Sequence, residues 1–207
     1  AQYRFESITI PAASRDEPIR PFSLANAVRY VDQGALAWSG NQKCVSCHTN
    51  GTYLQIRPAL TPVLGKPQEA IRKFFVQQLT EMRAKPLSEL QGGIGPTQVA
   101  YVAAGLAEWD AHVSKQLSDE TRSALDLMFQ LQSKNGAWGN TRCWPPFESS
   151  DYQAATVAAM AIASAPGYFK SLESGPHKEN VQRLLRYFRE TSPAHDYARL
   201  LLLWVST

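Results

Sequence analysis

An all-α protein is what this sequence predicts, and three observations carry the expectation. Apolar residues recur every three to four positions through several stretches, no stretch alternates convincingly with a period of two, and proline and glycine punctuate the chain between them. The chain has 207 residues, 44% hydrophobic and 19% charged, which supplies a core for one or two domains and sets it apart from disordered sequences. It divides into an extended N-terminal arm, 1–21, with "SITIP" and several prolines, and a helical body, 22–207.

The elements follow in order. Ser23 is placed to cap a helix running to about Trp38, with Leu24, Ala27, Val28, Val31, Ala35 and Trp38 along one side, and Gly40 is expected to stop it. Thr49 to Gly65, "TNGTYLQIRPALTPVLG", reads as a loop because it holds two prolines. Pro67 opens a helix to about Ala84, with Ile71, Phe74, Phe75, Gln78, Leu79 and Met82 at helical spacing. A linker, "KPLSELQGGIGPT", leads to an alanine-rich helix over 97–113. Ser118 caps the next, whose first turn is acidic, and further helices are expected near 151–164, 176–190 and 194–205.

Between the first helix and the expected loop lies "NQKCVSCHTN", residues 41–50, with two of the chain's three cysteines. A structural zinc site needs about four ligands. Cys44 and Cys47 supply two, Cys143 is far away in sequence, and no second Cys-x-x-Cys or His-x-x-x-His pair completes a set. A thioredoxin-like redox pair belongs in a βαβ setting, and none surrounds this cluster. The reading that uses every residue is Cys-x-x-Cys-His, in which two thiols add to the vinyl groups of a haem and the histidine ligates its iron. One covalent haem c per chain is therefore the expected cofactor, held by Cys44, Cys47 and His48, with His48 as proximal ligand.

The expected loop continues straight from the attachment residues, so Tyr53 and Arg57 are candidates for the haem propionates, a guanidinium pairing well with a carboxylate. Trp144, together with Trp38, Tyr53 and Trp138, is a candidate to pack the macrocycle. Cys143, in the rigid turn "RCWPPF", is the first candidate for the distal iron ligand, and His195, in "SPAHDYARL", is the second. His112, His177, Met82, Met128 and Met160 complete the set of candidates, each with an ordinary structural role as its alternative.

A second motif stands in "LQSKNGAWGN", where Gln132, Gly136 and Trp138 form Gln-x-x-x-Gly-x-Trp. It resembles the repeat motif of the squalene-hopene cyclase and prenyltransferase family of α/α toroids, whose glutamine caps helix ends while the tryptophan stacks against it, tying one helix pair to the next. With the continuation "CWPPFESSDYQAATVAAMAIASAP", the chain from about Leu36 to Trp204 resembles a group of bacterial proteins, frequent in planctomycetes, that join a Cys-x-x-Cys-His haem site to a squalene-cyclase-like toroid. The resemblance implies an α/α-toroid-like array of helix pairs carrying the haem, with 115–207 as the repeat-like part. A closed toroid takes about six helix pairs. About seven helices are visible in the sequence, so an open or incomplete array is expected, completed by a C-terminal half or a second chain.

These features predict a c-type cytochrome that exchanges one electron with a redox partner protein. The alternatives are a haem enzyme or gas or redox sensor with an open or displaceable distal site, and a toroid that binds an apolar ligand with haem as a staple. An Asp-x-Asp-Asp cyclase acid is absent from the sequence, no residue is assigned a catalytic role, and a non-enzymatic carrier is the expectation. The net charge of +3 is scattered, its densest cluster being Lys178, Arg183, Arg186 and Arg189, which is not the stripe that nucleic acid binding calls for. The longest apolar patch, "ARLLLLWV", is too short to span a membrane. The start, "AQYRFESITIP", reads as a mature N-terminus after cleavage, and covalent haem is attached outside the cytoplasm, so a periplasmic or otherwise exported location is expected.

Overall fold

The computed structural model describes residues 21–139 and 150–206, and among these every regular element is helical. The elements are α1 (Leu24–Asn41), α2 (Asn50–Ile56), a 3-10 turn (Arg57–Leu60), α3 (Thr61–Leu64), α4 (Glu69–Arg83), α5 (Leu87–Leu90), α6 (Gly95–Trp109), a π turn (Asp110–Ser114), α7 (Asp119–Gln130), α8 (Asp151–Ser164), α9 (Tyr168–Ser171), α10 (Lys178–Glu190) and α11 (Asp196–Ser206). Most of the expected arm, with Cys143 and Trp144, lies outside the described residues.

Helix α6 is the axis of the molecule. Its sequence "VAYVAAGLAEW" is small or apolar on all sides, and every residue from Val99 to Trp109 is buried. Helices α2, α4, α7 and α8 pack around it. Gly105 lets α2 come close: a Cβ there would lie 2.9 Å from Leu54 Cδ2. Leu54, Ile71, Phe75, Val99, Val102, Leu106, Leu125 and Met128 form the driest part of the core around this axis.

The region expected to be a loop, Thr49 to Gly65, is instead α2, the 3-10 turn and α3 in succession. Its prolines sit in the first turns of the last two, where a missing N–H costs nothing because those donors have no intrahelical partner. Pro96 does the same for α6, which starts inside the expected linker, and the linker itself holds α5. Nor does Gly40 stop α1. The helix runs to Asn41, and the reversal falls on Lys43, which takes a left-handed φ of 52° directly before Cys44. The helix expected over 97–113 changes to π winding at Asp110, whose fully buried carboxylate accepts from the backbone and hydroxyl of Ser118 (both 2.7 Å) and from Thr121 Oγ1 (2.6 Å). Ser23 and Ser118 each cap a helix with the hydroxyl, as their positions predict, and Ser150 does the same for α8.

The Gln-x-x-x-Gly-x-Trp stretch makes a clamp between the end of α7 and the first half of α10. Gln132 Nε2 donates to the carbonyls of Gly136 and Asn180, both at 2.9 Å, and Arg183 donates to Gln132 Oε1 at 3.0 Å. Asn180 Nδ2 returns a bond to Phe129 O at 3.2 Å. Trp138 is fully buried, but its partners are the Met128 carbonyl, to which Nε1 donates at 2.6 Å, and the ring of Phe129. Gly136 is required here: its φ is 95°, and a Cβ would stand 2.2 Å from the Arg183 carbonyl oxygen.

Candidate functional site

Residues Cys44 to His48 form a turn between α1 and α2, and the protein bonds its main chain from every side. Asn50, at the start of α2 and fully buried, accepts from Ser46 N (2.8 Å) through Oδ1 and donates through Nδ2 to Cys44 O (3.1 Å) and Ser39 Oγ (3.0 Å). Gln98 of α6 donates to Val45 O at 3.0 Å, Gly51 N donates to Ser46 O at 2.8 Å, and Thr52 Oγ1 donates to Cys47 O. Ser46 Oγ receives His48 N (3.3 Å) and Thr49 Oγ1 (2.8 Å). Val45 and Ser46 are thereby buried as the foot of the turn, while the thiols of Cys44 and Cys47 are part-exposed and His48 is exposed.

The surroundings of the turn are aromatic. The His48 ring lies edge-on to Trp38, with centroids 5.3 Å apart and planes at 74°, and its Nδ1 is 3.8 Å from Cys47 Sγ. Trp38 Nε1 is buried and has no hydrogen-bond partner among the described residues. Tyr101 of α6 packs its ring against Gly51, where a Cβ would fall 2.9 Å from Tyr101 Cδ1, and its hydroxyl accepts from Gln153 of α8 at 3.0 Å. Burial first, and the neighbouring Cys47 thiol second, push the Tyr101 phenol well above its ordinary range. The same two causes raise Tyr197 of α11. Along α11, Tyr197, Leu200, Leu203 and Trp204 remain exposed.

Tyr53 and Arg57 are brought together, but by the protein itself. Tyr53 donates to Asp32 Oδ1 (2.9 Å) and accepts from Gln68 N (3.0 Å), while Gln68 Nε2 donates to Asp32 Oδ2 (2.9 Å). The Arg57 guanidinium donates to the carbonyls of Gly65 (2.9 Å) and Leu64 (3.0 Å) and lies 3.7 Å from Asp32. Burial raises the Tyr53 phenol above its usual value, with the Asp32 carboxylate adding to the effect and the Gln68 N–H opposing it. Any propionate contact from these two side chains competes with bonds already made.

Of the distal candidates, Met82 and Met128 are core residues and Met160 is part-exposed on α8. His112 lies 3.3 Å from Glu108, and His177 lies 3.0 Å from Asp126 and stacks on Phe129. His195 is exposed; its Nδ1 accepts the N–H of Ala198 at 3.2 Å and its ring stacks on Tyr197. A neutral His195 in that role carries its proton on Nε2, so binding iron through Nε2 requires the ring to give up its helix cap. Among the described residues, no three His, Cys, Asp or Glu side chains gather where they could hold a metal ion. No described helix is long and apolar enough to cross a membrane.

Sequence reading did not single out Asn50, Gln98, Tyr101 or Tyr197. Asn50 reads as a turn residue beside Gly51; Gln98 and Tyr101 come from α6 and Tyr197 from α11, distant in sequence from the turn, so no local pattern marks them. No protein-family model, curated protein or solved structure matches this chain.

Proposed function

We propose that the chain is a c-type cytochrome: a one-electron carrier whose haem is held by thioethers to Cys44 and Cys47, with His48 on the iron. When bound, the haem supplies a ferric–ferrous couple. The observation that carries the reading is the arrangement of the Cys44–His48 turn. Its main chain is bonded inward by Asn50, Gln98 and Thr52, while the thiols of Cys44 and Cys47 are part-exposed and the imidazole is exposed. The residues present suit the group. Trp38 offers a buried indole N–H, without a partner among the described residues, beside His48, and Tyr101 of α6 packs against Gly51 at the start of α2. Trp38 and Tyr101 would exclude water from the cysteine side, lowering the solvent reorganisation that accompanies electron transfer.

The proposal includes the finer architecture, an α/α-toroid-like array of helix pairs. It is supported by the clamp in which Gln132, Gly136 and Arg183 tie α7 to α10. It also includes an exported location and a redox partner protein, both of which follow from the haem and stand or fall with it.

A second reading, a displaceable sixth position serving ligand binding, is favoured by one observation. His112, His177 and His195 each already have a partner within the protein. One experiment tests both readings. The protein is made in a host that attaches haem c, quantified by its denatured pyridine-haem spectrum, and then reduced and exposed to carbon monoxide. One covalent haem per chain with an unmoved spectrum is the expected result. A shifted spectrum selects the displaceable site, and protein without haem refutes both.

A further inference from the structure

We propose that Asn50 is the positioning residue of the haem site: its buried amide fixes the main chain from Cys44 to His48 and thereby the direction in which the imidazole leaves the turn. The inference rests on the haem reading above and adds to it the residue that sets the geometry.

Asn50 is fully buried, and a buried amide is unfavourable unless its polar atoms are bonded. Its oxygen and both of its amide hydrogens are engaged, and the three partners lie on the turn and on α1, which precedes it. The bonds to Cys44 O and Ser46 N grip both flanks of Val45, so the path between the two cysteines is held at its centre. The bond to Ser39 Oγ anchors the same amide to α1, where Ser39 is itself tied to Ala35 O at 2.9 Å and is one of two buried residues in the helix.

Connection to the metal ligand runs through one residue. Ser46, whose N–H Asn50 holds, receives the His48 N–H on its hydroxyl, so a displacement at Ser46 is passed to the residue that would bind iron. Gln98 and Thr52 hold the carbonyls of Val45 and Cys47, yet each makes one bond to the turn, whereas Asn50 makes two and joins the turn to α1. Aspartate at 50 would keep an acceptor for Ser46 N. It would lose both donors and set a carboxylate against the Cys44 carbonyl, a repulsion in place of an attraction.

The test uses haem-loaded protein and compares wild type, Asn50→Asp, Asn50→Ala and Thr121→Ala. Thr121 is equally buried and hydrogen-bonded, but to Asp110 and Ser118, elements remote from the turn, so its variant reports general loss of stability. The readouts are thioethers per chain by mass spectrometry of denatured protein, the pH at which acid displaces His48 from iron in the optical spectrum, and thermal unfolding. The expected result is that both Asn50 variants release His48 at higher pH, by about one unit, corresponding to roughly tenfold weaker retention. A larger fraction of singly linked haem should accompany it. Thr121→Ala should lower the unfolding temperature without moving the spectrum. Displacement curves for the Asn50 variants that overlay wild type, or that shift no more than Thr121→Ala at equal loss of stability, overturn the role of Asn50 while leaving the haem reading intact. Wild-type protein that carries no haem overturns the haem reading, and this role with it.

Discussion

Replacing Gly136 with alanine tests the clamp that joins α7 to α10, and its cost can be worked from the structure. The added Cβ would stand 2.2 Å from Arg183 O, 2.6 Å from Arg183 C and 3.2 Å from Leu184 N, all backbone atoms of α10. No side-chain rotation relieves that overlap, so α10 must retreat by about 1 Å to reach ordinary contact distance. The retreat strains three bonds across the junction: Gln132 to Asn180 O, Arg183 to Gln132 and Asn180 to Phe129 O, at 2.9, 3.0 and 3.2 Å. Each contributes about 1 kcal/mol net. Holding alanine at a φ of 95° adds about 1–2 kcal/mol of backbone strain. The predicted loss is about 3–5 kcal/mol, a large share of the roughly 5–15 kcal/mol that stabilises a domain. Urea unfolding followed by tryptophan fluorescence measures it. Gly34→Ala, inside α1 with nothing near its added Cβ, serves as the control and is expected to stabilise by about 0.5–1 kcal/mol. A Gly136→Ala protein within about 1 kcal/mol of wild type would refute the clamp as the tie between these helices.

Other perturbations reach the remaining parts of the molecule. Arg57→Ala removes the donor to Leu64 O and Gly65 O and leaves Asp32 without its nearby cation, so a stability loss of about 2–4 kcal/mol is expected by urea titration. Little change should follow if solvent replaces those bonds. Glu108 is buried beside Ser164 and His112, and burial raises its carboxyl above the usual range. Its folded-state pKa therefore exceeds the unfolded one. The stability this raised pKa confers is complete below the unfolded value and disappears as pH rises through the folded value. Glu108→Gln should accordingly gain more in thermal stability at pH 8 than at pH 4, and equal changes at the two pH values would contradict this. Cys47→Ala in a haem-attaching host is expected to leave a single thioether on Cys44, shifting the pyridine-haem band; an unshifted band would show that Cys47 carries no haem bond.

The helices were legible in the sequence wherever periodicity was strong and a serine stood at the start, as at Ser23 and Ser118. Prolines misled at 58 and 62 because a proline in a first turn and a proline in a loop look the same in sequence. Cys-x-x-Cys-His could be read directly, since its three side chains are neighbours in the chain. What sequence alone determined is thus what rests on local chemistry: the helical character of the described elements, the caps at Ser23 and Ser118, and the presence of Cys44, Cys47 and His48 side by side. Tertiary structure decided which helix became the axis, that Asp32, Tyr53, Arg57 and Gln68 would bond one another, and that Asn50, Gln98 and Tyr101 would stand around Cys44–His48. Those outcomes depend on groups brought together from distant parts of the chain, where burial makes each polar atom find a partner and sequence spacing holds no record of which one.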